Sequence, residues 1–184
     1  LRDQGRIKKA IVAFEKAISI KPNFAEAYYN MGIAIQVKGE LEKAIKTYKK
    51  ALSINPTYAE AFNNIALAFK DMGEITKAIN ACKEAISIKP DYIEALNNMA
   101  IALQAQGRLS EATDTYKRIL SIKPNFTEAH RNLSMINTYR TKDSHFLQVK
   151  NLFFDKNLSQ SAKCELSFAL AKMFEDLGDL NKAF

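Results

Sequence analysis

The stretch LEKAIKTYKKALSI at 41–54 places apolar side chains at 41, 44, 45, 48, 51 and 52, with Lys, Glu and Thr between them. Steps of three and four put those residues on one stripe of a helix, so the pattern predicts an amphipathic helix rather than a strand. A second stretch, AEAYYNMGIAIQVK at 25–38, shows the same spacing with a more apolar face. The two patterns alternate along the chain and are punctuated at a fixed interval. Pro22, Pro56, Pro90 and Pro124 follow one another every 34 residues, and so do Gly5, Gly39, Gly73 and Gly107. Self-similarity at that period predicts stacked helix-turn-helix units.

Small residues recur where such helices would touch. Ala10, Ala44, Ala78 and Ala112 open successive second helices, with Ala17, Ala51 and Ala85 further along. Gly32, Ala66, Ala100 and Ser134 hold one equivalent place in the first helices. Bulk at Tyr28, Phe62, Leu96, Tyr48 and Tyr116 is expected to fill the spaces between them. Gly32, Ala44, Tyr48, Ala51 and Pro56 together resemble the signature of the tetratricopeptide repeat (TPR), in register over roughly residues 1–140 and departing at Cys82 and Ile119. The resemblance implies an all-α fold, a right-handed superhelical solenoid of antiparallel helix pairs. It divides the chain into a partial first repeat, full repeats near 25–58, 59–92 and 93–126, and a first helix over 127–140.

Four variants of one phrase, KPNFAEAYYN, NPTYAEAFNN, KPDYIEALNN and KPNFTEAHRN, mark the starts of the first helices. Proline ends the preceding helix, and Asn23, Thr57, Asp91 and Asn125 are expected to cap the next. Glu26, Glu60, Glu94 and Glu128 stand three residues later, which predicts four capping boxes. Phe24, Tyr58, Tyr92 and Phe126 are expected to seal the joints between adjacent pairs rather than to stack on bases.

The period fails after Arg140, where Thr141 stands at the place of the next glycine. An irregular helical insert is expected over 141–160, with DSHFLQVKNLFF as a shorter helix replacing the usual partner. A longer helix capped by Ser159 or Ser161 then runs to Gly178, opening a truncated TPR-like pair over 161–184. Gly178, Leu180 and Ala183 repeat the spacing of Gly39, Leu41 and Ala44. The chain is expected to enter at the end of a first helix, in LRDQGR, and to stop early in its last one at Asn181, Lys182, Ala183 and Phe184. Cut repeats leave apolar ends, so a piece of a longer protein is expected, and homodimerisation through those ends is an option.

Composition narrows the partners. Six Gly and four Pro in 184 residues leave little room for the turns of a β fold. No apolar run nears the roughly 20 residues a membrane span needs. Cys82 and Cys164 form no disulfide or metal framework, and a buried thiol and a cytoplasmic setting are expected. The net charge of +7 comes from Lys and Arg interleaved with Glu on helical faces, which reads as a solvated surface. Neither nucleic acid nor a membrane is expected as partner.

The first helices should line the inner wall, where Asn30, Asn64, Asn98 and Asn132 form a row beside Asn63 and Asn97. Asparagine is a weak helix former, and its carboxamide both donates and accepts, which suits it to hold the backbone of an extended peptide. The alternative is that these side chains join adjacent repeats or face water. The row resembles that in the repeat domain of O-linked N-acetylglucosamine transferase. Tyr29 belongs to the same wall, Ile33, Leu67, Ile101 and Met135 would add an apolar strip, and Arg131 and Lys70 local positive charge. A chaperone-binding groove is less favoured, because the wall is mainly Asn, Gln and Glu.

No catalytic or metal constellation and no phosphate loop stands out, and no cofactor is expected. His130 is expected to pack where other repeats hold Tyr28, Phe62 and Leu96, and His145 has no acid or thiol pattern beside it. Two functions follow: a module binding a peptide or protein partner, or the substrate-recruiting arm of a larger enzyme. HRNLSMI and LSFALAKMFEDLGDLNKAF resemble the junction where TPR repeats precede a sulfotransferase domain in bacterial proteins, with a glycosyltransferase as a further option. The fragment itself is not expected to be an enzyme.

Overall fold

A computed structural model of the chain describes residues 2–179. It holds ten helices and, among the described residues, no strand: α1 (Arg2–Ile20), α2 (Ala25–Val37), α3 (Leu41–Ile54), α4 (Ala59–Asp71), α5 (Ile75–Ile88), α6 (Ile93–Ala105), α7 (Leu109–Ile122), α8 (Thr127–Ile136), α9 (Ser144–Phe153) and α10 (Gln160–Asp176). The fold is all-α. It divides into two compact units after Gln106.

In the first unit, α2 packs on α3, α4 on α5, and each of these on the next helix, while α2, α4 and α6 also touch directly. Three-residue links close α2 to α3 and α4 to α5, so the chain must turn straight back. Gly39 and Gly73 make that possible: their φ values of +85° and +77° lie in the left-handed region, where a Cβ is strained. Gly5, their equivalent one period before Gly39, does not break the chain, because α1 runs through it as one helix from Arg2. The expected helix end at LRDQGR is therefore replaced by a continuous helix.

Packing is large against small, as the repeated alanines require. Ala44, Tyr48, Ala51, Cys82 and Ala85 are fully buried. A Cβ placed on Gly32 would lie 2.5 Å from Tyr48 Cε1, so the ring fits only because residue 32 has no side chain. The next repeat offers Ala66 and Cys82 at these two places, a larger residue facing a smaller one.

The capping boxes do not form. The N-caps of α2, α4, α6 and α8 are Phe24, Tyr58, Tyr92 and Phe126, none with a side-chain capping bond. Each helix starts one residue later than the motif implies. Tyr58, Tyr92 and Phe126 donate their N–H groups to the carbonyls of Asn55, Lys89 and Lys123, closing turns that hold Pro and then Thr57, Asp91 or Asn125 at their centre. The glutamates fall in the first helical turn, where the helix dipole favours a negative charge.

The second unit begins regularly with α7 against α8 and then departs. Thr141 is β-branched and ill suited to positive φ, and α8 ends at Ile136, short of the expected residue 140. The chain then bends at Arg140 and Thr141 before Asp143, which caps α9 by accepting from Phe146 N–H at 2.9 Å. α9 does not replace the usual partner helix: α8 packs along α10, and α9 packs chiefly on α10 as well. Tyr139, Phe146, Val149, Leu166 and Met173 form the core here. Ser159 caps α10 by accepting from Ala162 N–H, and Gly178 takes φ +74°. Leu180, Asn181, Lys182, Ala183 and Phe184, which carry the returning repeat phrase, lie outside the described residues.

Candidate functional site

The candidate residues divide between the units. Tyr29, Asn30 and Ile33 lie on α2, Asn63, Asn64, Leu67 and Lys70 on α4, and Asn97, Asn98 and Ile101 on α6, all in the first unit. Arg131, Asn132 and Met135 lie on α8 in the second.

In the first unit the carboxamides bridge successive repeats. Asn64 donates through Nδ2 to Tyr29 Oη at 3.2 Å, and Asn98 donates through Nδ2 to Asn63 Oδ1 at 2.9 Å. Asn63 and Asn97 are buried, whereas Asn30, Asn64 and Asn98 are half-buried. The inter-repeat bonds weighed from sequence are thus present at Asn64 and Asn98. Ile33 packs partly into the core, and Leu67 and Ile101 are half-buried. Tyr29 stacks near Tyr58, with ring centres 4.6 Å apart.

Carboxylates share this face. Burial raises the pKa of the Tyr29 phenol, and Glu60 raises it further while Asn64 opposes. Burial likewise lifts Tyr58, reinforced by Tyr29, Glu26 and Glu60. Tyr92 is pushed up to about 12, by burial first and then by Glu60 and Glu94. Glu26, Glu60 and Glu94 thus act on the tyrosines through their charge. The sequence held a signal for this: each is four residues before Asn30, Asn64 or Asn98, which puts the pair on one helix face.

In the second unit, Arg131 is already engaged. Its Nη1 lies 2.9 Å from Glu165 Oε2 on α10, and its Nε and Nη2 donate to Asn132 Oδ1 at 3.3 and 3.1 Å. Met135 is exposed.

The histidines, unremarked by any sequence pattern, form a chain of hydrogen bonds. Pro124 O can only accept, so His130 Nε2, 2.8 Å away, carries the proton. His130 Nδ1 then accepts from His145 Nε2–H at 2.9 Å, and His145 Nδ1 accepts from Tyr139 O–H at 2.6 Å. Both rings are neutral in this arrangement. Burial lowers the His130 pKa, and it depresses His145 to about 4, helped by His130 and Lys117 and opposed by Asp143. Tyr139 is held from its other end, its N–H donating to Asp176 Oδ2 at 3.1 Å. His130 is 1% exposed, and this run of bonds ties α8 to α9 and to the segment between them.

Two surface hollows, of about 290 Å³ beside Ile7, Lys8, Val37 and Lys38 and about 320 Å³ beside Pro124, Gln148, Asn151, Leu152 and Asp155, include none of the candidate residues. Among the described residues no three His, Cys, Asp or Glu side chains group as metal ligands, and no helix is long and apolar enough to cross a membrane. Cys82 is buried, its thiol pushed up to about 12 by that burial, while Cys164 is exposed rather than buried as expected.

Comparison with known proteins places the fold. No curated protein matches the chain. Among solved structures, that of MamA is 23% identical, covering 98% of this chain and 94% of its own with a TM-score of 0.67. PilF of Pseudomonas aeruginosa is 20% identical over 98% of this chain and 82% of its own, with a TM-score of 0.73. The first TPR of Spaghetti (RPAP3), bound to the HSP90 peptide SRMEEVD, is 27% identical over 61% of this chain and 89% of its own, at 0.59. The TPR repeat family matches residues 1–36 and 37–73, and the tetratricopeptide repeat family matches 69–136. With matched repeats running from residue 1 to 136 and all-helical likenesses spanning nearly all of it, the chain belongs to the tetratricopeptide repeat family.

Proposed function

We propose that this chain is a protein-interaction module whose α2, α4 and α6 face holds an extended peptide or protein segment. The observation that carries the reading is the half-buried carboxamide presented once per helix at Asn30, Asn64 and Asn98, two of them held in place by bonds to the neighbouring repeat. A fixed carboxamide can pair with a peptide N–H and C=O without selecting a side chain, and its ordering entropy is already met in the free protein. A similar TPR structure holds a short peptide, SRMEEVD, which supports this ligand class. Tyr29, Asn63, Asn97, Ile33, Leu67, Ile101 and Lys70 complete the face in the first unit. Asn132 and Arg131, on α8, belong to the second unit and are proposed as peptide contacts of that unit by itself.

A library of unstructured 12-residue peptides displayed on phage and selected on the 184-residue chain provides ligands for the test. Amide signals of α2, α4 and α6 should shift when a selected peptide is titrated, and Asn30→Ala should weaken binding by about 1 kcal/mol per lost hydrogen bond. Shifts confined to α1, α3 and α5 would refute the reading. A recruiting arm for a sulfotransferase or other transferase would use the same face, and is the alternative if the selected peptides match substrates of a catalytic domain in the parent chain.

A further inference from the structure

The basic balance of the chain is unevenly distributed between the two helix layers of the first unit. Helices α1, α3 and α5 together carry eleven Lys and Arg against four acids. Helices α2, α4 and α6 carry four acids, Glu26, Glu60, Asp71 and Glu94, against Lys70 alone. Packed helix axes lie about 8–10 Å apart, and charges are screened over about 8 Å at physiological salt. Lys21 and Lys89 lie over the rings that open α2 and α6 and offset the acids there, so the excess of acid falls at the start of α4, where residue 55 is Asn.

The aromatic rings that precede the first helices already hold cations in both units. The residue three before each phrase aromatic places an ammonium over the ring in three repeats: Lys21 over Phe24 at 5.1 Å, Lys89 over Tyr92 at 4.9 Å and Lys123 over Phe126 at 5.4 Å. At Tyr58 the equivalent residue is Asn55, which accepts from Thr57 instead. Tyr58 pairs with Tyr29 at 4.6 Å between ring centres, Glu26 stands one helical turn before Tyr29 on α2, and Glu60 follows Tyr58 by two residues. Two aromatic rings beside two carboxylates make a seat for a cation, which gains from the ring faces and the charges together.

We propose that the occupant of this face is a basic extended peptide, with a Lys or Arg side chain seated against Tyr58 and Tyr29 between Glu26 and Glu60. The proposal rests on the peptide-binding reading above and assigns the partner its charge.

Three amidated heptapeptides test it by NMR titration of the labelled chain: SRMKKVK, the neutral SRMQQVN and the acidic SRMEEVD. The basic peptide should bind about tenfold more tightly than SRMEEVD, shifting signals on α2, α4 and α6, and should weaken as NaCl rises from 50 to 500 mM. The combined Glu26→Gln, Glu60→Gln and Glu94→Gln variant should bind the basic peptide about tenfold more weakly and leave the neutral one within about twofold. Equal or tighter binding of SRMEEVD, or a basic peptide indifferent to salt, overturns the inference even if the variant does not fold. If none of the three peptides shifts the α2, α4 and α6 signals, the peptide-binding reading itself fails.

Discussion

The first unit, α1 to α6, and the second, α7 to α10, are built from related phrases but held together differently. In the first, equivalent positions do related work: small residues admit a neighbouring helix, and Asn64 and Asn98 each reach back to the preceding repeat. In the second, single interactions without counterpart take over. These are the Tyr139–His145–His130–Pro124 chain, the Asp176 grip on Tyr139 N–H and the Arg131–Glu165 pair. A periodic unit spreads its stability over many similar contacts, whereas the aperiodic one concentrates it in a few, which makes it the more sensitive to one substitution or to pH.

The largest effect is expected from Phe146→Ala. The ring is 1% exposed and meets Phe174 edge-on at 5.3 Å, so its loss should cost about 3–4 kcal/mol. Hydrogen exchange should then accelerate in α8 to α10 and stay slow in α2 to α5; equal acceleration in both would show that they unfold as one. Gly32→Ala is the corresponding break in the periodic unit. Overpacking against Tyr48 should cost about 2–3 kcal/mol in chemical denaturation, outweighing the better helix propensity of alanine. Adding Tyr48→Cys, which recreates the Ala66 and Cys82 combination, should cost less than the two single changes summed.

Acid should separate the regions without any mutation. Both histidines bind protons less readily in the fold than in the unfolded chain, where the pKa is about 6.5. The unfolded state therefore takes up protons first, and the stabilisation is complete above about pH 6.5 and drains away as pH falls toward about 4. Protonating His130 Nδ1 would also set two donors against each other. About 2 kcal/mol of second-unit stability should be lost between pH 7 and 5, with little change in α2 to α5, and His145→Gln should flatten that profile. The smallest effect is expected from Asn64→Ala or Asn98→Ala, at about 1 kcal/mol each by thermal unfolding, because each removes one partly buried hydrogen bond between repeats. A loss near zero would mean that these side chains contribute to ligand contact alone.

Much of the architecture was legible because repetition supplies four readings of each position. Gly39, Gly73 and Gly107 mark left-handed turns, and Ala44, Ala78 and Ala112 mark fully or almost fully buried contacts, as their spacing foretold. The capping motif misled by one residue. Composition around Asn23 or Thr57 is compatible with either a cap or the centre of a proline turn, and the choice depends on where the backbone of the preceding helix ends. The candidate face was partly legible: helical spacing placed Asn30, Asn64 and Asn98 on one side, but not their partners Tyr29 and Asn63, which lie 35 residues away in sequence.

By itself, the sequence determined the helix content, the period and the side of each first helix that carries the asparagines, because these depend on local spacing and on φ/ψ preferences of single residues. Only the tertiary structure decided what those residues meet. It set Tyr29 against Tyr58, closed His130 onto His145, and packed α8 along α10, since contacts between distant segments depend on how helices are brought together and not on the phrases that make each one.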